Sequence, residues 1–362
     1  MKSADMGAPR PSRRWVRGAT GALASLAAVG ALAGCGGSSD SSSTSSGSGS
    51  ASAGGGANLA LVAYSTPQTA YDALIPKFQA TAGGKGVTFS ESYGASGAQS
   101  RAVATGQPAD VVAFSTTPDV TRLVKSGIVA KTWNANPEKG IVTDSVVVLV
   151  VRKGNPKHIT GWDDLIKPGV TVITPNPSTS GSARWNILAA YGAQIKEGKT
   201  PAQALAYLRT LITQHVKQED ASGRAALQTF AGGEGDVLIS YENEAIGAQK
   251  KGIAVDYVIP RQTILIETPI AVTTKSAHAT QAQAFVNWLW TPEAQTLWAQ
   301  QGYRPVDPSV LAQFAGKFPT PPQLFTIKTL GGWTAVSKTF FDPAGGSVTK
   351  IEQAANFPTA SS

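Results

Sequence analysis

The sequence predicts an α/β protein of two lobes, each a mostly parallel sheet flanked by helices. Three observations lead there. Apolar, β-branched runs of strand length alternate with segments of helical periodicity. About 300 residues follow a Ser/Gly-rich stretch, too many for one small core and enough for two. Several strand-like runs end in small hydroxyl and glycine residues directly before a helix-like run.

In chain order, residues 1–35 read as an export signal. Lys2, Arg10, Arg13, Arg14 and Arg17 form a basic region, and Gly18 to Ala33 is apolar but too short and too Gly/Ala-rich for a membrane span. Leu32-Ala33-Gly34-Cys35 matches a bacterial lipobox, which makes Cys35 the expected lipid anchor. Export through Sec is one route. Ser12-Arg13-Arg14-Trp15-Val16 partly fits the twin-arginine alternative. Cys35 is the only cysteine, so disulfides and cysteine metal sites are excluded. Residues 36–57 are nearly all Ser, Gly and Ala and predict a disordered tether, with a reach of about 26 Å.

The remaining chain carries the fold. Leu59 to Tyr64 reads as a strand, followed by Tyr71, Leu74, Ile75 and Phe78 at helical spacing, with Pro76 as a kink. Val87 to Ser90 and Asp110 to Phe114 are further strands. Ser145 to Arg152 suits a strand buried on both faces, and Val170 to Thr174 and Asp236 to Tyr241 complete the set. Thr200-Pro201 opens a helix with Leu205, Leu208, Leu211 and Ile212 on one face; Phe285, Trp288 and Leu289 line another, and Thr291-Pro292 starts the next.

Ligands in open α/β sheets sit beyond the carboxyl ends of the strands. The loops there are Ser65-Thr66-Pro67, Tyr93 to Gly97, Ser180-Gly181-Ser182 and Tyr241-Glu242-Asn243, together with Ala221 to Arg224. They offer hydroxyls and main-chain amides. At a helix start those amides lack intrahelical acceptors and sit at the positive end of the dipole, so they suit an anion. Each segment also has a plain reading: Ser180 and Ser96 as helix caps, Tyr241 as a core aromatic, Arg184 and Arg224 as surface or salt-bridge residues.

Other chemistries lack their residues. The three histidines, His158, His215 and His278, show no metal spacing, and neither a G-x-S-x-G elbow nor a phosphate-cradling G-x-x-x-x-G-K-[ST] is present. Glu242 and Glu244 read as ion-pair partners in preference to an acid/base pair. Half of the formal net charge of +8 lies in residues 1–35, and no basic run or basic-aromatic pattern follows, which argues against nucleic acid.

Several separated blocks resemble the sulfate/thiosulfate solute-binding family of bacterial ABC importers. They are Val151 to Lys157, Trp162 to Val170, Val172 to Asn186, Gly235 to Ile239 with Glu242 to Ala245, Tyr303-Arg304-Pro305, Leu324 to Ile327 and Gly331-Gly332-Trp333. The resemblance runs from about residue 60 to about residue 353 and implies a periplasmic-binding-protein type II fold that closes on dehydrated sulfate. It places the family's donors on Ser65, Ser96, Ser180, Gly181, Ser182, Gly223 and Tyr241. Tyr241 stands where the family has an indole, and Ser182 where it usually has glycine.

The resemblance further implies no cofactor or metal, no enzymatic activity, a monomer, and a permease partner at the membrane. It also implies an extracytoplasmic location, and the lipobox adds attachment through lipid on Cys35. A site of donors alone suits sulfate, which carries no proton near neutrality, whereas hydrogen phosphate needs an acceptor. Thiosulfate, molybdate and phosphate are the alternative ligands, and a lipid-anchored hydrolase is the alternative of another class. Lobe I is expected at 58–143 and 266–354, with the packing of 318–354 open, and lobe II at 144–265.

Overall fold

The computed structural model describes residues 56–359. The expectations for the leader, for Cys35 and for most of the tether fall outside that range. The first elements are β1 (Asn58–Tyr64), α1 (Gln68–Gln79), β2 (Thr88–Gly94), α2 (Ser96–Ala104), β3 (Val111–Ala113) and α3 (Thr117–Lys125). A long strand, β4 (Ile141–Arg152), leads to β5 (Val172–Pro175), α4 (Gly181–Lys196), α5 (Pro201–Thr210), β6 (Val216–Asp220), α6 (Gly223–Ala231), β7 (Val237–Tyr241), α7 (Glu242–Lys250) and β8 (Val255–Val258). A second long strand, β9 (Gln262–Val272), returns to α8 (Ala279–Leu289), α9 (Pro292–Gln300) and α10 (Pro308–Gln313). The chain then ends in β10 (Gln323–Phe325), α11 (Gly332–Phe340) and α12 (Ser347–Ala354).

The strands follow the order β2-β1-β3-β9-β4-β7-β5-β6, with β10 beside β9 and β8 beside β4. Strand β1 is parallel to β2 and β3, and β5 is parallel to β6 and β7. Between these two parallel groups run β4 and β9, antiparallel to each other. Each changes partner along its length. Strand β4 pairs with β9 up to Val146 and with β7 from Val147. Strand β9 pairs with β4 from Leu265 to Pro269 and with β3 from Ile270. A two-stranded ribbon, tied inside by the Thr143 and Thr268 hydroxyls at 2.7 Å, thus joins the two lobes.

Both faces of each group are covered. Leu59, Leu61 and Ala63 of β1 meet Tyr71 and Phe78 of α1 and Phe285 of α8, while Val62 faces Val103 and Leu123 on the other side. In β4, Val147, Leu149 and Val151 join one core and Val146, Val148 and Val150 the other. That is why the run is β-branched without polar alternation. Each such side chain contributes about 1.5–3 kcal/mol by leaving water. Helix α1 runs through Pro76, and α5 starts at Pro201 behind the expected Thr200 cap, which forms a capping box with Gln203.

Strand β9 is absent from the sequence reading because Glu267 and Pro269 interrupt its apolar run. The segment whose packing the sequence leaves open divides in two. Phe318 packs against Ile246 and Ala299. Phe325, Val336, Phe340, Val348 and Ile351 belong instead to the core around β4, β7 and α4, so the stretch from Gln323 packs with the β5–β7 side and not with α8 and α9. Gly192 permits this. A Cβ there would stand 2.3 Å from the Phe325 ring. Among the described residues no helix is long and apolar enough to cross a membrane, and no group of His, Cys, Asp or Glu could hold a metal ion.

Candidate functional site

Five strand-to-helix junctions meet at one chamber. Its walls are Tyr64, Ser65 and Thr66 before α1, Gly94, Ala95 and Ser96 entering α2, and Ser115 before α3. Ser180 and Ser182 at α4 and Ser222 and Gly223 at α6 complete them. The interstitial space is about 160 Å³, none of it wide enough for a free water molecule, so no drug-sized molecule fits between the closed walls. None of its lining side chains is charged. The helices instead aim their positive ends at it.

Of the seven residues expected from the sequence, Ser65, Ser96, Ser180, Ser182 and Gly223 line this chamber. Gly181 stands between two of them as the first residue of α4. Ser180 occupies the N-cap position without capping: its backbone is extended and its side chain makes no bond to the helix amides. Its Oγ shares a hydrogen bond with Ser182 Oγ at 2.7 Å. The first-turn amides of α4 are therefore left for another acceptor. Ser222 behaves differently and accepts from Ala225 N at 3.2 Å, an ordinary cap that leaves the Gly223 amide forward of it.

Tyr241 lies behind the chamber wall. It is 1% exposed, and its phenol oxygen is 2.7 Å from Ser115 Oγ, which does line the chamber. Burial holds the phenol well above its ordinary pKa, so it stays protonated. Ser115 escaped the sequence reading. The signal was present, since Ser115-Thr116-Thr117-Pro118 follows a strand and opens a helix as the other loops do. Ser96 is also more engaged than expected. Its hydroxyl donates to Asp119 Oδ2 at 2.6 Å and accepts from Ser115 N at 3.0 Å, while Thr116 Oγ1 and Arg122 Nη1 bind the same carboxylate.

The chamber is closed by contacts between the two sides. Gly97 N donates to Thr179 O at 3.0 Å, Trp185 Nε1 to Ser115 O at 2.8 Å, and Arg224 Nη2 to Thr66 O at 2.9 Å. Gly181 also lets the two sides approach closely. A Cβ there would lie 2.8 Å from Ser115 Cβ and 2.9 Å from Thr116 Cγ2. Asn176 sets the loop ahead of Ser180: its Oδ1 accepts from Ser178 N, and its Nδ2 donates to Glu219 Oε2 at 2.6 Å.

The remaining candidates have structural partners. Glu242 binds Arg304 Nε and Nη2 at 2.7 and 3.0 Å in a buried pair beside the β4–β9 ribbon. Glu244 stands 3.8 Å from Arg224. Both are ion pairs, and both carboxylates are buried. Arg184 donates to Pro177 O and lies over Phe341. No histidine lines the chamber.

The family described as "Bacterial extracellular solute-binding protein" matches residues 59–304. The chain is a bacterial extracellular solute-binding protein. A sulfate-binding protein of Synechococcus elongatus is 43% identical over 92% of this solute-binding protein and 95% of its own length. A thiosulfate-binding protein of Pseudomonas aeruginosa is 37% identical over 76% of the chain and 85% of its own. Among solved structures, the sulfate-binding protein SubI of Mycobacterium tuberculosis matches with TM-score 0.77 and 51% identity, covering 79% of this solute-binding protein and all of that one. A periplasmic thiamin-binding protein at 16% identity and TM-score 0.64 shares the two-lobed fold alone. The role of this solute-binding protein is capture, not catalysis.

Proposed function

We propose that this solute-binding protein captures sulfate between its lobes and delivers it to the membrane permease of an ABC importer. One observation carries the reading: the chamber is lined by hydroxyls and helix-start amides, with no carboxylate and no cation. A fully deprotonated tetrahedral dianion finds only donors there. Hydrogen phosphate would bury an O–H without an acceptor, at about 1–3 kcal/mol. The names of the relatives support sulfate as the anion.

The proposed donors are the amides of Ser65, Gly181, Ser182 and Gly223 and the hydroxyls of Ser115, Ser180 and, once it turns from Asp119, Ser96, with Tyr241 orienting Ser115. Seven charge-assisted bonds at about 1.5–3 kcal/mol would total roughly 10–20 kcal/mol, against about 8 kcal/mol for micromolar binding. Desolvation of the anion and closure of the lobes offset the difference. Calorimetry with sulfate, thiosulfate, molybdate and phosphate tests the reading. Sulfate should give the tightest binding, and absence of sulfate binding overturns it.

The Ser96–Asp119 hydrogen bond favours a second reading. If Ser96 kept donating to Asp119, its oxygen could accept from a protonated oxyanion such as hydrogen phosphate. Phosphate binding tighter than sulfate, weakening above about pH 7, would establish it.

Lobe I is proposed as residues 58–143 with 266–322, and lobe II as 144–265 with 323–354. The protein is proposed to act as a monomer outside the cytoplasm, held to the membrane by lipid on Cys35. Cys35→Ala should move it from the membrane fraction to the soluble fraction, and unchanged membrane attachment would refute the anchor.

A further inference from the structure

Ser96 lines the chamber, yet its hydroxyl already has partners inside the protein. The residue is 2% exposed, and its hydroxyl has one proton and two lone pairs to place. The proton goes to Asp119 Oδ2 at 2.6 Å, and one lone pair accepts from Ser115 N at 3.0 Å. What Ser96 has left for the chamber is a lone pair. As it stands, it offers an acceptor among hydroxyl and amide donors.

Asp119 fixes that arrangement. Its carboxylate is 2% exposed and can only accept. Thr116 Oγ1 donates to the same oxygen at 2.8 Å, and Arg122 Nη1 donates to the other at 3.1 Å. Arg122 Nη1 also donates to Ser100 Oγ at 2.7 Å, and Ser100 Oγ donates to Asp119 O at 2.6 Å. The carboxylate is thus held by α2 and α3 together, directly behind the chamber wall. While Ser96 donates to it, the hydroxyl cannot donate to an anion.

We propose that Asp119 is a positioning residue that sets, through Ser96, how far the chamber favours sulfate over protonated oxyanions. The proposal rests on the oxyanion reading above. Sulfate has no proton to give, so it uses Ser96 only after the hydroxyl has turned from Asp119, and one charge-assisted hydrogen bond is exchanged for another. Hydrogen phosphate can leave the hydroxyl where it is and donate its own O–H to the Ser96 oxygen. Asp119 thereby narrows the difference between the two anions. Asp119→Asn reverses the choice. Arg122 can only donate, so it keeps the amide oxygen on its own side and turns the amide NH2 toward Ser96 and Thr116. Ser96 then accepts from that amide and from Ser115 N, and its proton has only the chamber left.

The detergent-solubilised full chain and its Asp119→Asn variant are titrated calorimetrically with sulfate and with phosphate. The variant should bind sulfate more tightly and phosphate more weakly, so that its preference for sulfate rises at least about tenfold. A loss shared equally by both anions is what a purely structural residue would give, and it would overturn the proposal. In a Ser96→Ala background, Asp119→Asn should bring no such rise. A rise of the same size there would show Asp119 acting by its charge alone and not through Ser96. The unaltered chain supplies a comparison that needs no variant to fold. Above neutral pH, hydrogen phosphate and monofluorophosphate are tetrahedral dianions of similar size, and only the first carries an O–H. Hydrogen phosphate should bind at least about fivefold more tightly, and equal or weaker binding would refute the acceptor role of Ser96. A chain that binds sulfate but fails these comparisons loses this proposal alone. One that binds neither sulfate nor phosphate loses the oxyanion reading as well.

Discussion

The Tyr241 phenol oxygen stands 2.7 Å from Ser115 Oγ, across the seam between the two sides of the molecule. Tyr241 is protonated and walled off from the chamber, so it can donate to Ser115, freeing the Ser115 proton for an oxyanion. A relay of this kind keeps the site a set of donors although the tyrosine never reaches the ligand. Ser115→Ala should weaken sulfate binding by roughly 10- to 150-fold, the worth of one hydrogen bond to a charged group. Tyr241→Phe should weaken it less, and the double variant should be no worse than Ser115→Ala alone. Additive losses in calorimetry would show that the two hydroxyls act separately.

Ser180 offers a second test because its hydroxyl does not cap its own helix. Ser180→Ala should cost about 1–3 kcal/mol of sulfate binding and leave the melting temperature nearly unchanged. Ser222→Ala is the contrast. It removes a true cap, so it should lower stability by about 1 kcal/mol. A Ser180→Ala protein with wild-type affinity would remove Ser180 from the site.

Gly181 tests closure. Its missing Cβ is what lets α4 approach Ser115 and Thr116. Gly181→Ala should hold the lobes apart, with sulfate affinity reduced at least about tenfold and the fold retained. Small-angle scattering that shows the same compaction with sulfate as the wild type would contradict this.

Buried carboxyls set a pH dependence. Glu352 of α12 faces Glu219, and burial raises both above the ordinary range; the charge of Glu352 pushes Glu219 up further, while the hydrogen bond from Glu219 holds Glu352 the lower of the two. The folded state therefore keeps a proton that the unfolded chain releases above about pH 4.3. The native state binds more protons from about pH 4.5 upward and beyond neutrality, so stability falls as pH rises through that range. Glu352→Gln should flatten this part of the profile. Denaturant midpoints at pH 5 and pH 8 measure it, and equal slopes for variant and wild type would refute it.

The strand-end loops were legible because their chemistry is local. A hydroxyl or glycine between a strand and a helix start has its role set by its neighbours in sequence, and Ser65, Ser96, Ser180, Ser182 and Gly223 duly share one chamber. Ser115 carried the same local signal but stood beside a short strand. The direction in which Tyr241 points was not legible, since its partner lies 126 residues away. Nor was the joining ribbon, because Glu267 and Pro269 disguise β9 as a loop. Both depend on which segments meet after folding, and no window of sequence contains that information.

The indole of Trp185 donates across the seam to the Ser115 carbonyl, with Trp333 packed edge-on against it at 4.7 Å. Opening the lobes would break that hydrogen bond and change the polarity around the ring. The molecule thus carries its own fluorophore at the point where its two halves touch. Changes in emission there would give the rate of lobe movement in real time, on a protein bearing no attached dye.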